Sequence, residues 1–404
     1  MVLLAVSKPA RAISPFLPVI SVAAALAVTF VAATLPTPLY AVYRRTFGFS
    51  EITLTLIYAV YVLGNLGALF LGGRSSDQIG RKISVLAGMA AGLASTLVFI
   101  FAAGTAWLFL ARTLSGFATG LVSGAATAWI VELQPGNNKA AGAATACAAN
   151  FMGLAVGPLL AGLLAQFAPG ALRLSWIVYL VMLNIAVVPT LITPETVKAP
   201  VRRLRELSLE PRLGVPQGIR LQFLSPAVTA FVIFALIGFY AALIPGLILD
   251  ILHRPSATIS GSVVSGLFAL AAAAVALTVN AESRNSMLWG LTMLLPGLML
   301  LVAAELFGSM AVLILAAAFG GIAAALGYRG SLELVSRIAP EDQRAEVVSS
   351  YLIAVYAGNS LPVIAVGVLL SLVDSLAAHI VFAALIGLLA IGALATGMKY
   401  APNR

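Results

Sequence analysis

An all-α integral membrane protein, with twelve transmembrane helices in two pseudo-symmetric six-helix halves, is the fold class this sequence predicts. Three observations carry the prediction. Of 404 residues, 61% are hydrophobic and only 9% charged, with a mean hydropathy of +1.06; a soluble domain is nearer half apolar and a quarter charged. The chain divides into twelve apolar stretches, each close to the ~20 residues a helix needs to cross a bilayer core. They run at roughly 16–36, 52–73, 83–104, 106–131, 140–165, 174–193, 226–249, 258–280, 287–304, 309–332, 347–372 and 375–398. Finally, the second six stretches repeat features of the first six. A β-barrel would need segments of about ten residues alternating in polarity. The run from Leu267 to Val279 does not alternate, and helices satisfy the backbone inside lipid.

Cations set the orientation. With the N-terminus in the cytoplasm, seventeen of the 23 Lys and Arg fall on inner seams: Lys8, Arg11, Arg74, Arg81, Lys82, Lys139, Lys198, Arg202, Arg203, Arg205, Arg212, Arg220, Arg284, Arg337, Arg344, Lys399 and Arg404. Outer seams hold Arg44, Arg45, Arg173 and Arg254, while Arg112 and Arg329 lie within spans. Both termini are therefore expected in the cytoplasm, with the chain in a bacterial inner (plasma) membrane. The net charge of +9 is then a matter of topology and implies no nucleic-acid partner. Trp107, Trp129, Trp176 and Trp289 sit near span ends, where indole rings prefer the membrane interface. Cys147, the single cysteine, is read as packing. The first apolar run exceeds a signal-peptide core of about 7–15 residues and is kept as a span.

Along the chain, Pro36 and Pro38 are expected to stop the first helix at the outer surface, and Ser50 to cap the second. Tyr58, Tyr61 and Asn65 in the second span are three to four residues apart and share a face; that face serves either helix packing or a cavity wall. Next comes a charged turn, GGRSSDQIGRK, with the spacing G-x-x-x-D-x-x-G-R-K from Gly73 through Asp77, Gly80 and Arg81 to Lys82. Gly73 and Gly80 permit a tight turn and close backbone approach.

This spacing resembles the signature loop between the second and third spans of major facilitator superfamily transporters. The resemblance extends over the whole chain. It implies that Asp77 lies against the cytoplasmic start of the eleventh helix, latching the halves while the cavity faces outward, and that Arg81 bonds an acid at the inner end of the fourth helix, here Glu132. Glu346 sits at the start of the expected eleventh helix and would repel Asp77 unless protonated or turned away.

Further motifs follow in the expected spans. Arg112, Gly116 and Gly120 form R-x-x-x-G-x-x-x-G in the fourth span. The glycines offer a smooth face for helix contact, and a buried arginine is a functional candidate by default. Glu132 and Lys139 have a spacing close to a sugar-porter pattern. Gly153, Gly157, Pro158 and Gly162 in the fifth span are similar to the signature of the antiporter branches of the superfamily, and suit an element on which two halves rock.

Three regions are expected: an N-terminal half at 1–193, a cytoplasmic linker at 194–222 rich in Arg and Pro, and a C-terminal half at 223–404. Adding 205 to first-half numbers takes Pro135 to Pro340, Lys139 to Arg344, Gly153 to Gly358 and Gly162 to Gly367. Such parallel repeats relate halves by an axis along the membrane normal. Arg329 has Glu333 one turn on, as a structural or a functional pair. Asn150, Tyr240, Tyr356 and Asn359 join Tyr58, Tyr61, Asn65 and Arg112 as candidates for a central cavity.

The resemblance implies a secondary transporter working by alternating access, with a small-molecule substrate, the bilayer as surroundings, no cofactor and a monomeric state. Proton-coupled efflux is the expected activity, from the Gly157-Pro158 cluster, with Asp77, Glu132 and Glu346 as candidate proton carriers. Uptake of a sugar or organic acid, and a non-transporting membrane receptor, are the alternatives. No phosphate-binding G-x-x-x-x-G-K-[ST] loop is present, and no catalytic or metal spacing points to an enzyme.

Overall fold

A computed structural model describes residues 15–72, 75–198, 213–252, 256–340 and 343–402. Gly73, Arg74, His253, Arg254 and residues 199–212 of the arginine-rich linker lie outside the described residues. The first half comprises α1 (Leu17–Thr34), α2 (Pro36–Phe47), α3 (Glu51–Gly72), the short α4 (Ser75–Ile79), α5 (Arg81–Ile100), α6 (Thr105–Leu133), α7 (Lys139–Phe167) and α8 (Ala171–Ile192). The second half comprises α9 (Arg220–Leu252), α10 (Ala257–Leu277), α11 (Ser283–Leu306), α12 (Met310–Ile338), α13 (Arg344–Leu369) and α14 (Ser375–Tyr400). Counting α1 and α2 as one crossing, the described residues form twelve helices long and apolar enough to span a membrane. Twelve crossings return the chain to its starting face. The linker lies there too, and we call it the linker face; the opposite one is the far face.

The first span differs from expectation. Pro36 and Pro38 do not stop it. Leu35 keeps right-handed helical angles and donates to the Val31 carbonyl, and Pro36 takes the first position of α2, where its missing N–H costs nothing. The helix ends only at Gly48, whose φ of +71° is left-handed. Ser50 caps α3 by accepting from Thr53 N at 3.2 Å. The start of α9 at Arg220 falls inside the stretch expected as linker.

Two tryptophans also depart from expectation. Trp107 and Trp289 are exposed, but Trp129 and Trp176 are fully buried. Trp176 stacks on Phe99 at 3.7 Å and donates to Tyr43 Oη at 2.9 Å; Trp129 donates to the Pro194 carbonyl at 3.0 Å. Each indole N–H has a protein partner, so these rings are held by the bundle interior instead of the membrane interface.

Within the first half α6 packs on α3 and α5, and α7 on α1; within the second α9 packs on α13 and α11 on α12. The halves meet through α7 against α10 and α3 against α13. These contacts obey the internal repeat. A Cβ on Gly153 would strike Ala27 of α1, and one on Gly358 would strike Phe231 of α9. Across the halves, a Cβ on Gly162 would come within 2.6 Å of the Ala257 carbonyl, and Gly367 lies equally tightly against Thr55. Residues related by the offset of 205 therefore make equivalent contacts, as a two-fold axis along the bundle requires.

Candidate functional site

Between the halves lies a cavity of about 130 Å³. Its wall descends α3 from Tyr58 through Tyr61 to Asn65 and α13 from Asn359 through Tyr356 to Leu352, about 10 Å along each helix at 1.5 Å per residue. The spacing within α3 puts the three polar groups on one face. Close contact between α3 and α6 comes from Gly64 against the Thr113 carbonyl and Gly116 against the Tyr61 carbonyl. Gly120 meets Ala68 one turn further. That approach brings Arg112 over the tyrosines, with its guanidinium 4.5 Å from the centre of the Tyr61 ring and 5.6 Å from that of Tyr58.

Arg112 is 1% exposed. It donates to the Ala33 carbonyl at 3.0 Å and the Tyr58 carbonyl at 3.5 Å, while its Nε has no partner. No ion pair reaches it among the described residues. A buried cation without a counter-charge is costly, and aromatic faces and carbonyls offset only part of that cost. The site is thus short of one negative charge.

The remaining polar wall is organised by hydrogen bonds. Tyr61 Oη and Thr119 Oγ1 are 2.7 Å apart, Thr119 reaches Asn65 Oδ1 at 3.3 Å, and Asn65 Nδ2 donates to the Tyr61 carbonyl at 3.1 Å. Tyr58 Oη donates to Asn359 Oδ1 at 2.9 Å, joining the two halves. Asn150 and Tyr356 also face the cavity. Tyr240 does not: its ring is wholly buried in the second half, and its neighbour Ala241 holds the wall position instead. Sequence reasoning passed over an aromatic set, Phe30, Phe151, Phe234, Phe268 and Tyr328. Phe151 meets Phe268 and Tyr328 at 6.4 Å each, across the halves. A phenylalanine facing lipid and one facing a cavity look alike in an apolar run.

At the linker face, Arg81 anchors the charged turn. Its guanidinium lies 2.9 Å from Glu132 Oε1, 2.8 Å from Ser76 Oγ, and pairs with Asp77 one turn back. The Glu195 carboxylate accepts from the backbone N–H groups of Arg81 at 3.1 Å and Lys82 at 3.0 Å, at the open start of α5. Gly80 makes this possible. It has a φ of +108°, and a Cβ there would come within 2.5 Å of Glu195 Oε2. Burial pushes the Glu195 carboxyl up, but N–H donors from Val197, Lys82, Arg81 and Thr196 outweigh it and hold it below the ordinary carboxylate range. Lys82 Nζ caps the Leu191 carbonyl at 3.1 Å. Glu195 carried no assignment from sequence; its signal was only the proximity of Pro194-Glu195 to a span end.

Asp77 is 60% exposed, and its ion-pair partner in this structure is Arg81. The expected contact of Asp77 with the start of the eleventh span is not formed. There Glu346, in the first turn of α13, sits beside Gly214, and Ser350 bonds the Gly214 backbone. The reason is visible in how the halves meet. Among the described residues, the hydrogen bonds that join them are Tyr58 to Asn359, Ser256 and Thr258 to Gln166, and Thr258 to the Gly162 carbonyl. All lie between mid-depth and the far face. In the second half Arg337 takes the position of Glu132, bonding Ser283 at 3.0 Å and Glu333 at 3.1 Å.

The fifth-span motif serves two interfaces. Gly153 and Gly157 seat α7 on α1, whereas Gly162 and the Pro158 carbonyl receive Ala257 and Gly261 of α10 from the other half. Arg329 is occupied within its own half. It donates to the Thr278 and Ala281 carbonyls at the end of α10, with Glu333 3.9 Å away, and so caps that helix.

Twelve spans in two related halves around a polar, aromatic cavity, with helix contacts that close it on one side, define a membrane transporter of the secondary kind and not an enzyme. The chain belongs to the Major Facilitator Superfamily, whose sequence profile matches residues 22–282. In fold it is similar to a peptide transporter, POT, in complex with sulfate (TM-score 0.75, 14% identity, 95% of this chain and 94% of that one). It is likewise similar to the nucleoside transporter NupG (TM-score 0.71, 14% identity, 94% and 99%). A 116-residue segment is 30% identical to the sugar transporter ERD6-like 6 of Arabidopsis thaliana; the match spans 28% of this chain and 23% of that relative.

Proposed function

We propose that this protein carries a small organic anion with a flat apolar body through the membrane by alternating access, the anionic group binding at Arg112. The observation that carries the reading is the charge balance of the cavity: one buried guanidinium, a ring of aromatic side chains and, among the described residues, no carboxylate on the wall. Toward the far side of the cavity the halves are packed together by α7 against α10 and α3 against α13. Transport then requires these contacts to part while the linker ends close, with Asp77 moving to the start of α13 as the latch. The linker face is cytoplasmic in this reading, as the cation distribution supports, and the chain acts as a monomer.

Export against protons is the direction supported by the Gly153 to Gly162 motif. Uptake of a sugar or organic acid is the second reading, supported by the segment shared with a sugar transporter. The test is flux in proteoliposomes of known orientation, offered organic acids, neutral sugars and cationic drugs under an imposed proton gradient. The expected result is movement of an aromatic or flat organic acid that R112Q abolishes. Transport of a cation that survives R112Q would overturn the substrate class, and indifference to the gradient would overturn proton coupling.

A further inference from the structure

The first, seventh and eighth spans hold no carboxylate at mid-depth, and two of the expected proton carriers, Asp77 and Glu132, are engaged with Arg81 at the linker face. A different titratable pair is buried toward the far face. His379, in the first turns of α14, and Glu305, in the last turn of α11, have side chains only 4% and 9% exposed. His379 Nδ1 lies 2.6 Å from Glu305 Oε2, and Ser375 Oγ donates to Glu305 Oε1 at 2.7 Å. Both carboxylate oxygens are therefore committed. The imidazole is backed by the Phe239 ring of α9, edge to face at 5.0 Å.

His379 also lines a second cavity, of about 420 Å³, at the far face. Its walls come from both halves. Among the described residues its charged and titratable groups are Arg44, Arg45, Glu51 and Tyr40 from the first half, and Asp374 with His379 from the second. Arg44 pairs with Glu51, and Asp374 caps α14 by accepting from Ala377 N. The two cavities meet neighbouring residues of α9: Ala241 lines the central one and Ala242 the far one.

We infer that Glu305 and His379 form a proton-binding site loaded from the far-face cavity, and that its charge biases the closure between the halves. With the imidazole neutral, the pair carries one net negative charge and attracts the guanidinium groups of Arg44 and Arg45 across the cavity, favouring the closed far face. Uptake of one proton on the imidazole makes the pair neutral and weakens that attraction. Low dielectric surroundings make such a change matter far more than at an exposed site. The inference rests on the transporter reading for its purpose, and its test needs no transported solute.

The experiment uses the full-length protein in two forms. Ring-labelled histidine NMR in lipid nanodiscs follows protonation, with H379Q assigning the signal against His253. A Cys147→Ser background bearing spin labels at Phe167→Cys and Leu372→Cys, exposed positions on opposite halves, reports the far-face distance in proteoliposomes with pH set separately on each side. The His379 ring signals should respond reversibly to acidification of the far side, and E305Q, which removes the carboxylate 2.6 Å from Nδ1, should alter that response. The spin-label distance should lengthen on acidifying the far side alone, and H379Q should abolish the response. A distance that ignores far-side pH, or responds equally in H379Q, overturns the inference, as does a His379 response that E305Q leaves unchanged. Thermal unfolding of H379Q and E305Q confirms that each variant is folded. Either result leaves the Arg112 reading standing, because anion flux is measured independently.

Discussion

Tyr58 Oη and Asn359 Oδ1, separated by 301 positions in sequence, are 2.9 Å apart in a hydrogen bond that crosses from one half of the protein to the other. The bond sits on the cavity wall, beside the buried Arg112. It is thus placed both to hold the closed far face and to sense what occupies the cavity.

Removing this bond should loosen closure without emptying the cavity. For Y58F we expect a loss of about 0.6–1 kcal/mol, the scale of a hydrogen bond in a membrane protein, read as a slightly lower melting temperature. The far-face distance should become broader. A variant with unchanged stability and unchanged distance would show that the bond does not contribute to closure.

Arg112 should behave as a group kept for function at a cost in stability. Replacing it by Met removes an uncompensated buried charge, so the solute-free protein should melt higher, while anion flux falls at least ten-fold. R112K keeps the charge but loses the planar fork that spans two acceptors, and should retain only partial flux. A lower melting temperature for R112M would mean that the carbonyl and ring contacts outweigh the buried charge.

The two ends of the fifth-span motif should fail differently. G162L drives a side chain into the Ala257 carbonyl across the halves, so the far face should stay open to thiol reagents placed on that side while the protein remains folded. G153L instead wedges α7 from α1 within one half and should lower stability by several kcal/mol, the cost of overpacking or worse. Equal thermal stability for the two variants would contradict the division of roles.

Glu195 makes a pH prediction. Its carboxyl is held below the ordinary value of 4.5, so its contribution is complete above that pH and is lost as pH falls through the lower folded value. The carboxylate is partly open to solvent, which keeps the contribution under about 1 kcal/mol. E195Q should therefore melt lower than the intact protein near neutrality, and the gap should narrow as pH falls below 4. A gap independent of pH would assign the effect to packing.

Much of the fold is legible because it rests on local properties. The apolar runs, the cation bias and the turn from Asp77 to Lys82 are each contained in a few dozen contiguous residues. Glycine spacing told which helices approach closely, as with Gly116 and Gly162, but not onto which neighbour. Pro36 was misread for a related reason: a proline ends a helix or begins one according to the angles of the residue before it, here Leu35.

By itself, the sequence determined a twelve-span helical protein with two related halves and a charged turn tied to its third span. Only the tertiary structure decided which polar groups meet: Tyr58 with Asn359, Glu305 with His379, Glu195 with the start of α5, and Arg112 with carbonyls and aromatic rings but, among the described residues, no carboxylate. The physical reason is the solvent. Lipid and protein interior are equally apolar, so hydropathy tells where a helix crosses but not which of its faces turns inward. That choice is made by contacts between helices hundreds of residues apart.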